Sequence, residues 1–348
     1  MKKRGAEENL PNRFVKQVYE IPAPDEFDIP EEEKVSPQTQ LFVDESKTII
    51  SINDSPDIPF VYSVNPYRGC EHGCIYCYAR PTHEYLGFSL GLDFETKITF
   101  KPDADKLLEK ELTKKSYKPE VINFSGNTDC YQPVERHLKL TRKCLEVVSR
   151  FDHPYTIITK SSLIKRDIDI ISASAKKQLV LVGISIATLD PALASKMDPR
   201  AASPNSRLNT IEALSAAGIP VGVVVSPVIP GLTDHEMPAI LKAAKEAGAT
   251  SASYTILRLP HGVKELFTKW LEENAPGKAA RIISRIKELR GGKLNDPERF
   301  SRMRGKGELA DTISEFFHLN ARKLGLDNPP PALRQDLFNP GNQLSLGL

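Results

Sequence analysis

The sequence predicts an α/β chain of six strand–helix units around a parallel sheet, as an incomplete barrel or an open doubly wound sheet. Three observations predict it. From about residue 120, short β-rich runs alternate with amphipathic runs at intervals of about 25–40 residues. The amphipathic runs carry recognisable helix ends. Every segment of unusual composition follows the C-terminal end of a strand, the edge on which such folds build their sites.

Taken in order, residues 1–58 are polar, acidic and interrupted by prolines (IPAPDEFDIPEEEKVSP), which predicts an extended, partly disordered arm that wraps the core. The core spans 59–260. Its strands are expected at Phe60–Val64, Val121–Phe124, Tyr155–Thr159, Val180–Ile186, Pro220–Val225 and Ser251–Ile256. Asp190-Pro191 and Ser203-Pro204 each set a capping side chain before a first-turn proline. Thr233-Asp234-His235-Glu236 reads as a capping box, and Gly218 and Gly248 as helix terminators. Residues 261–326 are helical and basic, with helices expected at Val263–Asn274, Lys278–Leu289 and Asp311–Leu324, an extension placed to cover the open side. Residues 327–348 read as a flexible tail.

Composition is that of an ordinary soluble chain, with 40% hydrophobic and 26% charged residues and a net charge of +2 over 348 residues. The charge is unevenly placed. Residues 1–60 hold 7 Lys/Arg against 13 Asp/Glu, and residues 258–325 hold 15 against 9. These are two solvated surfaces, or a basic layer that meets an anionic substrate. No apolar run is long enough to span a bilayer and none follows Met1-Lys2-Lys3-Arg4, so a cytoplasmic protein without a membrane partner is expected.

The chemistry sits after the first strand, in NPYRGCEHGCIYCYARP. Cys70, Cys74 and Cys77 fall within eight positions, and Gly69 and Gly73 let the backbone turn around a bound object. Three readings fit: idle thiols, a zinc site completed by His72, His83 or Cys130, or a 4Fe–4S cluster held by three thiolates with one iron open. On later strand ends lie Gly126-Asn127-Thr128-Asp129, Lys160, Ser185 and the Val228-Ile229-Pro230 stretch. Cys144 falls on the apolar face of a helix pattern with Val134, Leu138, Leu145 and Val148, and reads as core. Cys130 reads as a buried thiol or as a hydrogen donor facing the cavity.

Cys-x3-Cys-x2-Cys with an aromatic before the last cysteine resembles the radical S-adenosylmethionine (SAM) superfamily. The resemblance implies an incomplete (β/α)6 barrel, TIM-like, and a 4Fe–4S cluster on Cys70, Cys74 and Cys77 whose open iron chelates SAM. It also implies an electron donor such as flavodoxin or ferredoxin. Members carry a Gly-Gly-Glu-like segment for the cofactor's amino group. Gly126, Asn127, Thr128 and Asp129 stand there, with Asp129 and the Thr128 hydroxyl as acceptors. Lys160 is expected to pair with the cofactor carboxylate, Ser185 to reach the ribose, and Val228 to wall the adenine.

NDSPDIPF, NTD-x-YQP, ITK, PVIPGL, LRLPH and RMRG extend the resemblance, over roughly residues 50–310, to the DNA repair photolyase-like branch related to spore photoproduct lyase. In that lyase a cysteine returns a hydrogen atom to the repaired base. The matching position here is Gly126, and Cys130 lies four residues later. The lyase's repair reaction is not carried over, and it is the basic C-terminal extension and the chain's last six residues that make nucleic acid the leading expected substrate. A peptide, an RNA base or a metabolite remains as an alternative, and so does a non-catalytic iron–sulfur protein that transfers electrons or senses oxidants. The ending Gln343-Leu344-Ser345-Leu346-Gly347-Leu348 resembles the short peptide with which bacterial repair and replication proteins bind the DNA sliding clamp. Arg334–Phe338 is a poorer second copy of it.

Overall fold

The structure is a computed structural model that describes residues 4–15 and 38–341. Its strands are β1 (Gln40–Val43), β2 (Ile50–Ile52), β3 (Tyr62–Val64), β4 (Tyr67–Arg68), β5 (Lys97–Phe100), β6 (Ile122–Phe124), β7 (Tyr155–Thr159), β8 (Val180–Ser185), β9 (Val221–Val228) and β10 (Ser251–Ile256). β3, β6, β7, β8, β9 and β10 lie side by side in chain order and all parallel. β2 adds antiparallel to β3 at one edge, and the two edge strands, β2 and β10, do not pair with each other. The sheet is thus an incomplete barrel with six parallel strands.

The strands form where Val and Ile alternate with smaller residues, because branched side chains pack well on a pleated surface. In β9 burial alternates along most of the strand, with Val221, Val223, Val225 and Val228 in the main core. The helix Leu140–Arg150 buries Leu140, Cys144, Leu145, Val147 and Val148 on one face, which places Cys144 in the core. Asp190 and Ser203 cap their helices as expected. Gly218 and Gly248 adopt φ of 73° and 99° after the helices they end, a region L-residues avoid.

Four expectations are corrected. The capping box does not form. Thr233 Oγ1 accepts from the Ile229 amide, and Glu236 turns away to accept from Thr188 Oγ1 and the Leu189 amide, tying two strand-end loops together. The fifth strand runs on through Pro227 to Val228, so Val228 belongs to the strand. The acidic arm contains β1 and β2. β1 pairs with β5 in a small second sheet, and because all four of its residues are exposed it shows no apolar alternation. The last long helix, Glu308–Lys323, packs on the outer side of the sheet beside β10, where the Phe317 and Tyr254 rings stand 4.5 Å apart, and does not cap the open side.

The tail is also docked over much of its length. Arg334 N donates to Gln178 O and Asn339 N to Phe151 O, and the Phe338 ring lies 5.1 Å from His153 and 5.6 Å from Tyr117. Phe338 therefore serves its own domain. Gln343–Leu348 lies outside the described residues. Phe338→Ala is expected to lower the unfolding free energy by about 2 kcal/mol, less than a fully buried Phe because the ring is only partly buried. Thermal unfolding checks this, and an unchanged midpoint would contradict the docking.

Candidate functional site

The cysteine loop leaves β4, and its backbone is held almost residue by residue. Gly69 and Gly73 take φ of 79° and 67°. The Gly69 carbonyl accepts from Thr128 Oγ1 at 2.6 Å and from Gln132 Nε2 at 3.1 Å, while Gln132 Oε1 accepts from the Glu71 amide. Cys70 N donates to Phe94 O, and Ile75 N to Met197 O. The fully buried Arg80 donates through Nε to Cys74 O, and its far end pairs with the fully buried Glu95.

Glu95 then gathers the N-terminal segment. Its carboxylate accepts the amides of Gly5 and Ala6, both at 2.7 Å, and its carbonyl accepts from Arg4. The approach is close enough to require glycine on both sides. A Cβ on Gly5 would stand 1.6 Å from Gly73 O, and a Cβ on Gly73 would stand 2.5 Å from Glu95 Oε2. The segment from Arg4 to Ala6 is therefore a strap across the cysteine loop, which gives the expected wrapping of the core a definite place.

The three thiols are neighbours. Cys70 packs with Ala79 and Phe94, Cys74 with Ile75 and Tyr76, and Cys77 against both groups. Burial first pushes the Cys74 and Cys77 thiols up, reinforced by the Asp198 carboxylate and the fellow cysteines at Cys74 and by Cys70 at Cys77. Among the described residues no three His, Cys, Asp or Glu side chains converge on a single ion. A cluster distributes its thiolate ligands over separate irons, and three thiols on one short loop are a donor set that such a cluster accepts. The zinc alternatives are otherwise engaged. His72 pairs with Asp129, His83 packs between Phe88 and Phe94, and Cys130 is fully buried in the main core.

The strand-end residues fall into two groups. Thr128 and Asp129 serve the loop. Asp129 Oδ1 accepts from Thr159 Oγ1 and the Tyr131 amide, and Oδ2 accepts from the Lys160 amide at 2.8 Å and faces His72 Nδ1 at 3.3 Å. Burial alone would raise the Asp129 pKa, but His72 and these donors hold it down at about 2. The Gly126 amide donates to Asn65 Oδ1 and the Gly126 carbonyl accepts from Tyr78 OH at 2.7 Å. The Asn127 amide shares Asn65, and its side chain is exposed.

Lys160 differs from these. Its Nζ lies 5.7 Å from the Tyr76 ring centre and makes no hydrogen bond or ion pair among the described residues. Ser185 is buried and donates to Ser226 O. It joins the loop indirectly, because Arg207 donates to Ser185 O and to Asp198, and Asp198 accepts from Tyr76 OH. Val228 is buried, with its carbonyl accepting from the Leu257 amide. Cys130 N bonds Ser125 Oγ, and burial pushes its thiol up. A cavity of about 450 Å³ lies beyond Ile75, between the strap and Trp270, and none of the expected site residues lines it.

The pH dependence of stability follows from Asp129. Its folded pKa of about 2 lies below the ordinary 3.8, so its contribution is complete above about pH 4 and is lost as pH falls to 2. The difference in unfolding free energy between wild type and Asp129→Asn is expected to shrink by about 2 kcal/mol from pH 4 to pH 2 in urea titrations. A constant difference would contradict this.

The comparisons with known proteins bear on the family and the fold. Residues 64–244 match the model of the Radical SAM superfamily. An uncharacterised protein of Mycobacterium tuberculosis is 37% identical over 234 residues, 67% of this chain and 68% of that protein. One from Methanocaldococcus jannaschii is 30% identical over 50% of this chain and 63% of its own length. Among solved structures, a spore photoproduct lyase variant superposes with a TM-score of 0.59 at 15% identity, over 82% of this chain and 79% of that one. A second variant of that lyase, with bound AdoMet and dinucleoside spore photoproduct, gives 0.56 at 15% identity over the same shares. The matched family region includes the cysteine loop and runs from β3 to the helix Met237–Glu246; the chain belongs to the radical SAM superfamily.

Proposed function

We propose that the protein is a radical SAM enzyme in which Cys70, Cys74 and Cys77 hold a 4Fe–4S cluster with one iron left for SAM. The observation that carries this reading is a braced loop that brings three thiols together and supplies no fourth. When bound, the cluster supplies the electron that cleaves SAM to methionine and a 5′-deoxyadenosyl radical, which takes a hydrogen atom from the substrate.

The chain's own residues bind and orient. Lys160, an ammonium that forms no salt bridge among the described residues although the Asp198 carboxylate lies within its field, receives the SAM carboxylate. Tyr76, fixed through Asp198 and Arg207, flanks the cofactor beside the last cysteine. Thr128 and Asp129 act on the loop, because their acceptor positions are filled by protein donors. The Asn127 carbonyl, next to the engaged Gly126 carbonyl, is left to meet the cofactor's amino group, with Ser185 and Val228 as the farther wall.

Nucleic acid is the proposed substrate class. The superposed lyase binds a dinucleoside photoproduct, and the segment after β10 is basic. Glycine stands at 126 and Cys130 is sealed in the core, so the outcome on the substrate differs from hydrogen return by a cysteine.

Anaerobic reconstitution with iron and sulfide, dithionite reduction and quantification of 5′-deoxyadenosine test the reading. Wild type is expected to form it and Cys74→Ala to form none. Lys160→Ala is expected to weaken SAM binding roughly ten-fold, the loss of one charge-assisted hydrogen bond. Product formation that survives in Cys74→Ala would contradict the proposal.

A further inference from the structure

Two arginines beside the last strand, Arg290 buried and Arg258 half-buried, form no ion pair among the described residues. Arg290 is 3% exposed, and its guanidinium donates to the carbonyls of Leu257 at 2.6 Å, Ser301 at 2.8 Å and Ile256 at 3.4 Å. Arg258, two residues past β10, lies with its guanidinium 5.2 Å from the centre of the Tyr78 ring and 3.4 Å from Met303 Sδ. Neither forms an ion pair among the described residues. The nearby carboxylates are already engaged. Asp57 is taken by Arg302 at 2.5–2.6 Å, and Asp296 and Glu298 by Lys306. A buried cation that lacks an anion is costly, and a functional site is where such a cost is tolerated.

The surroundings favour one kind of anion. Tyr78 follows Cys77 directly, so Arg258 stands at the cysteine loop, on the strand edge where the site is built. The segment 290–306 carries six Lys/Arg against two Asp/Glu. Two large rings are open to solvent there: Tyr78 is 49% exposed and Phe300 62%. Phe300 sits at φ 65°, a conformation bulky residues rarely adopt, and its amide is held by Asp57. Exposed rings beside an unpaired guanidinium match a nucleic-acid strand, whose bases stack and whose phosphates accept bidentate hydrogen bonds.

We propose that Arg258, set between Tyr78 and Met303 at the rim of the site, is the receiving group for a phosphodiester of a nucleic-acid substrate. This assignment rests on the nucleic-acid reading above and names the residue that carries it out. Arg290 supports it by fixing the backbone at Leu257 and Ser301 on either side of the contact.

The test uses the full-length reconstituted protein under anaerobic conditions and a fluorescein-labelled ten-nucleotide oligothymidylate, with anisotropy read between 50 and 200 mM salt. Arg258→Ala is expected to weaken binding roughly ten- to a hundred-fold and to lower the salt slope by about one, with Arg258→Lys recovering part of the loss. Met303→Glu, which supplies the missing carboxylate, is expected to weaken binding to a similar degree while raising the melting temperature. That pairing separates anion competition from damage to the fold. Wild-type binding with Arg258→Ala losing nothing and keeping its slope would overturn the subsite alone. Displacement of the oligonucleotide by polyglutamate at equal charge would overturn the phosphodiester in favour of an acidic peptide. No binding by wild type at any salt would overturn the nucleic-acid reading with it.

Discussion

The carbonyl of Gly69 accepts two hydrogen bonds, from Thr128 and Gln132, and much of the site depends on that contact. It joins the loop after β6 to the loop after β4. Gln132 also takes the Glu71 amide, and Asp129, between the two braces, faces His72. On the proposed reading the loop leaves one metal position open, so a full set of metal ligands does not organise it. Its shape comes from the protein, and here one short string of side chains, Thr128, Asp129 and Gln132, supplies it in three successive contacts. Preorganisation of this kind is what a site needs when bonding to the cofactor is deliberately incomplete.

Buried ion pairs continue the same work on the other side. Arg80–Glu95 and Arg207–Asp198 are each almost wholly removed from water. Such pairs contribute little net stability, because desolvation offsets their attraction, but breaking one leaves an uncompensated charge. Their value lies in fixing position. Arg80 holds Cys74 O, Asp198 holds Tyr76, and Glu95 fastens Gly5 and Ala6 over Gly73. The cysteine loop is thereby enclosed by two strand ends, a helix and the N-terminal strap.

Much of the fold was legible because periodicity and helix ends are local. Val221–Val228 alternates, Asp190 and Ser203 cap, and Gly218 and Gly248 terminate, each from its own few residues. β1 was hidden because its residues are all exposed, and the docking of Phe338 because its partners, Tyr117, Phe151 and His153, are distant in sequence. The site was legible at the cysteines, where spacing carries the chemistry. Asp129 looked like a ligand because an acid on a strand end offers acceptors. Only the fold shows that four protein donors occupy them. Arg80, Glu95, Asp198 and Arg207 gave no signal, since a charged residue in a sequence does not disclose that it will be buried.

The central claim is a three-cysteine loop built to leave one iron free. Mössbauer spectroscopy on anaerobically reconstituted protein enriched in ⁵⁷Fe, with and without SAM, tests it most directly. The account predicts a 4Fe–4S spectrum in which one iron of the four changes its isomer shift and quadrupole splitting when SAM is added, with the other three unmoved. A spectrum that SAM leaves unchanged, or one that shows no four-iron cluster, would contradict it.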